Sequence, residues 1–201
     1  MNTALLIADA PCNLDTFAIS DLVRALDAFD PGHGLRVGRI TGLLAALAQY
    51  QISDADVLLA GRLHDVGKLL LPPDVRDAPR KLTPVEFAIV RQHPSLGLGI
   101  VRALGYPLPP DVYDAVWLHH ERHDGSGYPL GLAGHEIPPI ARIMAIADVI
   151  DALLSSRPYK PSWTVARVVT LIRAGAGQSF DPVVVQIALQ NVDAIVACRG
   201  A

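Results

Sequence analysis

From Thr16 onward the apolar residues recur at intervals of three and four, the spacing of helices that bury one face. Phe17, Leu22, Val23 and Leu26 follow it until Pro31-Gly32 breaks the pattern. A second helix is predicted from Leu35 to Ala48, and a third from Ser53 into the pair His64-Asp65. Pro72-Pro73 ends the segment after that pair. Thr83-Pro84-Val85-Glu86 is a strong helix start: the threonine caps, proline takes the first helical position, and Glu86 completes a capping box. Pro94 opens the next helix, and another spans Asp111 to His120. Gly125 to Pro139 reads as a loop, Ile140 to about Leu154 as a strongly apolar helix, and Asp181-Pro182 as the cap of the last helix. No long alternating strand pattern, repeat or low-complexity segment interrupts this order. Residues 1–15, with Thr3-Ala4-Leu5-Leu6-Ile7-Ala8 before Pro11, form a tail too short for a domain. Residues 16–201 are predicted to form one all-α domain, a helical bundle with one substantial loop.

Composition supports a packed core. At 201 residues the chain suits a single domain, and 51% hydrophobic against 18% charged residues excludes a disordered one. Only 5% are aromatic, and a core of Ala, Leu, Val and Ile favours interlocking helices. A formal charge of −3 leaves no broad basic surface to wrap DNA or RNA. The two cysteines, Cys12 and Cys198, lie near opposite ends and outside any metal-ligand spacing, so they read as unpaired thiols. No apolar run is long enough to span a bilayer, and no cationic lead-in precedes Ala4-Leu5-Leu6-Ile7. A soluble cytoplasmic protein is the expectation.

The chemistry concentrates on histidine and aspartate. Of seven histidines, five (His33, His64, His93, His119 and His120) fall at or near predicted helix ends or breaks. Taken singly, each would be read as a half-buried ring with a hydrogen-bond partner. Together with two adjacent pairs, His64-Asp65 and His119-His120, they point instead to a cluster of two metals. Asp65 could bridge two ions with its two oxygens. Asp148 sits inside an otherwise apolar helix, where a carboxylate is costly unless it is paired or binds metal. Imidazole mixed with carboxylate suits Fe, Mn, Co, Ni or Zn, and such a cluster suits hydrolysis of a phosphate ester. His123 and His135 read as ordinary solvated residues.

Leu63-His64-Asp65-Val66-Gly67-Lys68, His119-His120-Glu121 and Asp124-Gly125-Ser126-Gly127-Tyr128-Pro129 closely resemble the HD-GYP subgroup of the HD phosphohydrolase superfamily. The resemblance continues through Gly131-Leu132, Ile137-Pro138, Ala141-Arg142-Ile143, Asp148, Asp151-Ala152-Leu153 and Arg157-Pro158-Tyr159, and closes with Phe180-Asp181-Pro182. It implies a bundle of the HD phosphohydrolase type with a glycine-tyrosine-proline loop. It also implies a centre of divalent ions, Fe or Mn before Zn, Co or Ni, and hydrolysis of the messenger cyclic di-GMP. Carried across, the metal ligands are His33, His64, Asp65, His93, His119, His120 and Asp148, with Asp65 the bridge. Asp65 and Lys68 become the catalytic pair: the ions activate a hydroxide, and Lys68 touches a phosphate oxygen or protonates the leaving group. Tyr128, Arg157 and Lys160 join Lys68 as substrate contacts. For Arg36 and Arg142, an ion pair between helices competes on equal terms with substrate contact.

Two departures shape the expectation. Members with three metals carry a glutamate four residues before the first histidine, where this chain has Phe29, with Asp30 one residue nearer behind a proline. Two metals are therefore expected, with linear pGpG as product and further cleavage to GMP left open. No attached receiver or sensor domain is expected, so control is expected from expression, partners or oligomerisation, with an unregulated enzyme as the other reading. Two alternatives stand beside catalysis. One is a non-catalytic cyclic di-GMP sensor or adaptor that docks on a diguanylate cyclase (a GGDEF protein) through Gly127-Tyr128-Pro129. The other is hydrolysis of a different cyclic dinucleotide. All seven ligand positions are filled, which favours an enzyme.

Overall fold

A computed structural model describes residues 19–105, 107–156 and 161–200. The expected N-terminal tail, Cys12, Arg157 and Lys160 lie outside them. Among the described residues the chain runs through α1 (Ile19–Phe29), α2 (His33–Leu47), α3 (Asp54–Leu63) and a 3-10 helix (Val66–Leu70). It continues through α4 (Pro73–Arg76), α5 (Pro84–Val90), α6 (His93–Arg102) and α7 (Pro110–Leu118), then a long loop holding a 3-10 turn (Gly134–Glu136). The last elements are α8 (Pro139–Leu154), α9 (Val165–Ala174), α10 (Pro182–Gln190) and α11 (Val192–Arg199). The described residues hold no strand, only two isolated bridges, so the all-α reading stands.

Caps and prolines set many of the boundaries. Ser53 Oγ accepts the Asp56 N–H at the start of α3. Thr83 and Glu86 close the expected capping box, the Thr83 N–H donating to Glu86 Oε2 at 2.8 Å and the Glu86 N–H to Thr83 Oγ1 at 3.3 Å. Proline lies in the first turn of α5, α6, α7, α8 and α10, where its missing N–H costs nothing.

The structure corrects the sequence reading at several ends. α2 begins at His33 rather than Leu35, which puts that imidazole in its first turn. α7 stops at Leu118, so His119 is its cap and His120 lies beyond it. Asp181 does cap a helix, accepting from the Val183 and Val184 N–H groups, but that helix is not the last. α11 follows it after Asn191, and both α11 and α9 are additions to the expected set. α11 buries only Ile195 and prints no strong stripe on the sequence, whereas α9 carries a clear one, Val165, Val168, Val169 and Ile172 at helical spacing, and is legible there.

α2 packs against α3, α8 and α11, α3 against α7, and α6 against both α7 and the first 3-10 helix. One core runs through these contacts, with Val37, Ile40, Leu44, Leu63, Val112, Val116, Ile140 and Met144 fully buried. Each side chain of this kind stabilises the fold by about 1.5–3 kcal/mol through burial. No single helix among the described residues is long and apolar enough to cross a membrane. α10 and α11 together approach that composition, but they turn 78° against each other and bury Val184, Val185 and Ile195 in the core.

Two close backbone approaches set where the clustered histidines lie. A Cβ on Gly61 would lie 2.4 Å from Gly38 Cα, so α2 and α3 cross with main chain against main chain. A Cβ on Gly67 would lie 1.9 Å from the His93 carbonyl oxygen and 2.5 Å from Gly97 N, so the turn after His64-Asp65 sits directly on the start of α6. Neither neighbour is a side-chain tip that could swing aside. Gly67→Ala is expected to destabilise the fold by about 1–3 kcal/mol or more, the range for an overpacked core. A denaturant titration followed by circular dichroism checks this; an unchanged midpoint would contradict the close approach.

Candidate metal centre

The clustered histidines stand at or beside the ends of helices, and their surroundings there fix which ring nitrogen faces inward. The last carbonyls of a helix lack intrahelical partners. His64 Nδ1 lies 2.7 Å from the Gly61 carbonyl, His93 Nδ1 2.8 Å from that of Val90, and His119 Nδ1 2.8 Å from that of Ala115. A carbonyl can only accept, so each Nδ1 carries the proton and each Nε2 presents a lone pair. His33 is oriented by a carboxylate instead, its Nδ1 donating to Asp151 Oδ2 at 2.8 Å. This arrangement of outer partners is the one that orients metal-ligating histidines.

The inward ring nitrogens converge on Asp65. Its Oδ2 is 3.4 Å from His64 Nε2 and 3.9 Å from His33 Nε2, while its Oδ1 is 3.3 Å from His93 Nε2 and 3.9 Å from His119 Nε2. Asp148 Oδ1 adds a contact of 3.2 Å to His33 Nε2. Two sets result, His33 with His64 and Asp148, and Asp65 with His93, His119 and His120, the potential donor atoms of each lying within 4.8 Å of one another. The structure thus brings together all seven sequence-expected ligand positions. It also places Lys68 beside them, its Nζ donating to Asp65 Oδ2 at 2.6 Å.

The donor atoms suit divalent cations on three counts. His64 Nε2 and Asp65 Oδ1 are buried and make no hydrogen bond. His93 Nε2 and His119 Nε2 face each other at 3.3 Å with both protons on the far nitrogens, so two lone pairs oppose across a gap that a cation would fill. The donors mix imidazole and carboxylate without thiolate, the chemistry of Fe, Mn, Co, Ni or Zn.

Titration follows the same division. Burial, reinforced by neighbouring rings, holds His119 well below the usual imidazole range and His120 at about 3. Burial opposes charge on His33 too, but Asp148 and Asp151 outweigh it and lift the ring to about 10. Burial would raise Asp65, yet Lys68 holds it well below the carboxylate range, and His33 does the same for Asp148. The centre sets ionised carboxylates beside the His119 and His120 rings that burial keeps neutral.

Supporting residues are less visible in the sequence. Asp151 is fully buried in α8 and accepts from His33, from Arg36 Nε at 2.8 Å and from Arg199 Nε at 2.8 Å. Its sequence signals are its place three residues after Asp148 in the same apolar helix and the Asp151-Ala152-Leu153 stretch of the family resemblance. Glu121, also buried, accepts the Leu130, Gly131 and Leu132 N–H groups at 2.6, 3.1 and 3.1 Å, folding the loop back on itself. Tyr128 is held in that loop, its ring stacked on His120 with centroids 4.8 Å apart and the Arg91 guanidinium 4.7 Å from its centroid. Burial raises its pKa, so the phenol stays neutral.

Other expectations resolve individually. Arg36 and Arg142 form ion pairs between elements, with Asp151 and Asp181, which bears out their structural reading. Phe29 lies under the Arg76 guanidinium, 5.1 Å from its ring centroid, and neither candidate ligand set includes Asp30. His135 is exposed, as expected. His123 is not simply solvated: it is half-buried, with Nδ1 buried and without a hydrogen bond.

A family profile described as "HD domain" matches residues 35–184. A cyclic di-GMP phosphodiesterase response regulator of Xanthomonas campestris is 39% identical, over 82% of this chain and 44% of its own length. A 3'3'-cGAMP-specific phosphodiesterase of Vibrio cholerae is 36% identical, over 92% of this chain and 36% of its own. The chain therefore spans less than half the length of these relatives. A solved cyclic GMP-AMP-specific phosphodiesterase of V. cholerae shares the fold with a TM-score of 0.63 at 19% identity, covering 91% of this chain and 50% of that one. An HD-GYP-type protein of Bdellovibrio bacteriovorus does so with 0.63 at 16%, covering 87% and 60%.

If Asp151 orients His33, Asp151→Asn should weaken Mn(II) binding by about 10- to 100-fold, the range for outer partners of ligands. Free Mn(II) read by electron paramagnetic resonance during titration checks this in the absence of substrate. Unchanged affinity in a folded variant would show that His33 needs no such support.

Proposed function

Because the chain belongs to the HD domain family, we propose that it is a phosphodiesterase that binds two divalent ions, iron or manganese before others, and hydrolyses cyclic di-GMP to linear pGpG. The observation that carries this reading is the position of Asp65, with one oxygen toward each of two separate histidine sets. A carboxylate so placed can join two sites without favouring either. His33, His64 and Asp148 would hold one ion, and His93, His119 and His120 the other. When bound, such ions polarise a phosphate oxygen and lower the pKa of a water to near neutrality.

The chain's own groups then divide the remaining work. Asp65, kept ionised by Lys68, orients the attacking water through its oxygens. Lys68 Nζ, 2.6 Å from Asp65, donates a proton to the 3′ oxygen as it leaves phosphorus. The neutral Tyr128 hydroxyl donates to a phosphate oxygen from the loop, its ring position fixed by His120 and Arg91. Arg157 and Lys160 supply a cationic clamp on the second phosphate, arginine with a planar two-pronged fork. Phe29 is occupied with Arg76, which supports two ions over three and a reaction that stops at pGpG. The setting for this messenger is the cytoplasm.

A second reading, cleavage of 3'3'-cGAMP, is favoured by the relatives specific for that substrate. Docking of a diguanylate cyclase on Gly127-Tyr128-Pro129 is the weaker alternative, because Tyr128 is turned onto His120 and Arg91 rather than outward.

Protein loaded anaerobically with Fe(II) or Mn(II) is expected to convert cyclic di-GMP to pGpG, resolved by chromatography. Intact substrate under every metal condition would sink the enzyme reading, and GMP as the main early product would sink the two-ion one. Lys68→Ala is expected to lower kcat by about 10²- to 10⁴-fold, the usual contribution of a general acid, with Mn(II) binding retained.

A further inference from the structure

Beside the centre lies an open cleft of about 600 Å³ whose lining includes His119, His120 and Asp148. A phosphodiester gripped by those ligands must therefore send one of its nucleosides into the cleft. Much of the remaining lining is apolar: Val149 and Leu153 of α8, Leu171 and Ala174 of α9, Phe180, and Phe87 of α5. Such walls suit the face of a base better than a sugar or a phosphate.

Phe87 has no evident structural duty. It is 50% exposed, and α5 contributes no buried residue to the core. It lies one helical turn before Arg91, whose guanidinium covers Tyr128, which in turn stacks on His120. Phe87 lines the same cleft as the Tyr128 and His120 rings.

The polar part of the lining is as specific. Arg122 and Ser179 both face the cleft, and Arg122 Nη1 donates to Ser179 Oγ. Their backbones are tied together as well, the Asp124 N–H donating to the Gln178 carbonyl at 2.9 Å and the His123 N–H to the Ser179 carbonyl at 3.4 Å. The guanidinium is therefore braced at the edge of an apolar slot. It has five N–H donors and Ser179 takes one.

Resting on the phosphodiesterase reading above, we propose that this cleft is a purine subsite, in which Phe87 stacks on the base and Arg122, braced by Ser179, selects guanine. Guanine offers two acceptors, O6 and N7, to a guanidinium fork. Adenine keeps N7 but replaces O6 with an amino donor, which would face another donor. A phosphate contact for Arg122 would give no such selectivity.

The test measures Kd for cyclic di-GMP and cyclic di-AMP by calorimetry, and kcat/KM for cyclic di-GMP, on the Mn(II)-loaded full chain. Wild-type protein should favour the guanine ligand. Arg122→Gln should shrink that preference by roughly 5- to 150-fold, the discrimination a two-pronged base contact supplies. Phe87→Ala should weaken both ligands alike, by about tenfold or more, as the loss of base stacking does. Both side chains are exposed, so unchanged thermal unfolding is expected to show that the variants fold. Arg122→Gln weakening both ligands equally, or neither, overturns the guanine assignment, and an unaffected Phe87→Ala overturns the stacking. Wild type that cleaves no cyclic dinucleotide overturns the phosphodiesterase reading and the subsite with it, whereas wild-type activity with indifferent variants overturns the subsite alone.

Discussion

The centre depends on a short hydrogen bond made three times over: an imidazole Nδ1–H donating to a carbonyl three or four residues back, where a helix is ending. Helix termini leave carbonyls without partners. Here α3, α5 and α7 each offer one to a histidine just past or at their end. The bond settles the tautomer, aims the ring and satisfies a carbonyl in one contact. The inward nitrogens are thus a by-product of how the helices stop.

Bringing three such ends together is a matter of backbone distance. The crossing at Gly38 and Gly61 sets α2 against α3, and hence His33 near His64. The approach of Gly67 to the His93 carbonyl sets the turn after Asp65 on α6. A carboxylate flanked by imidazoles on both sides is the outcome, in a place where water screens it little. Lys68 keeps Asp65 ionised, while burial keeps His119 and His120 neutral. The result is a concentration of lone pairs and negative charge with too few protons to go round.

Much of this is legible in the sequence, and the parts that are not have physical reasons. Local signals succeed where one segment carries the whole cause. The Thr83 to Glu86 capping box and the proline-led helix starts are chemistry within four residues. Histidines at helix breaks are equally visible. The full set of seven candidate ligands needs a family resemblance, because only the fold makes residues 33 and 148 neighbours. Arg199 has no local signal at all, since its link to Asp151 crosses 48 residues of chain. Asp151 and Glu121 stand in plain view but their partners do not. α11 escapes notice because a short helix with one buried residue leaves little periodicity, whereas α9 is legible, its Val165, Val168, Val169 and Ile172 following the helical interval.

Asp151 ties the start of α2, the end of α8 and the end of α11 to one carboxylate, and the candidate ligands are drawn from segments far apart along the chain. Every one of those contacts is lost when the chain unfolds, so ions held there bind the native state alone. Stability then follows mass action, rising by about 2.7 kcal/mol when free metal reaches a hundred times its dissociation constant. The melting temperature of this protein is in that sense a property of its solution as much as of its sequence. In a cell, the supply of metal would then shift how much of the chain stays folded.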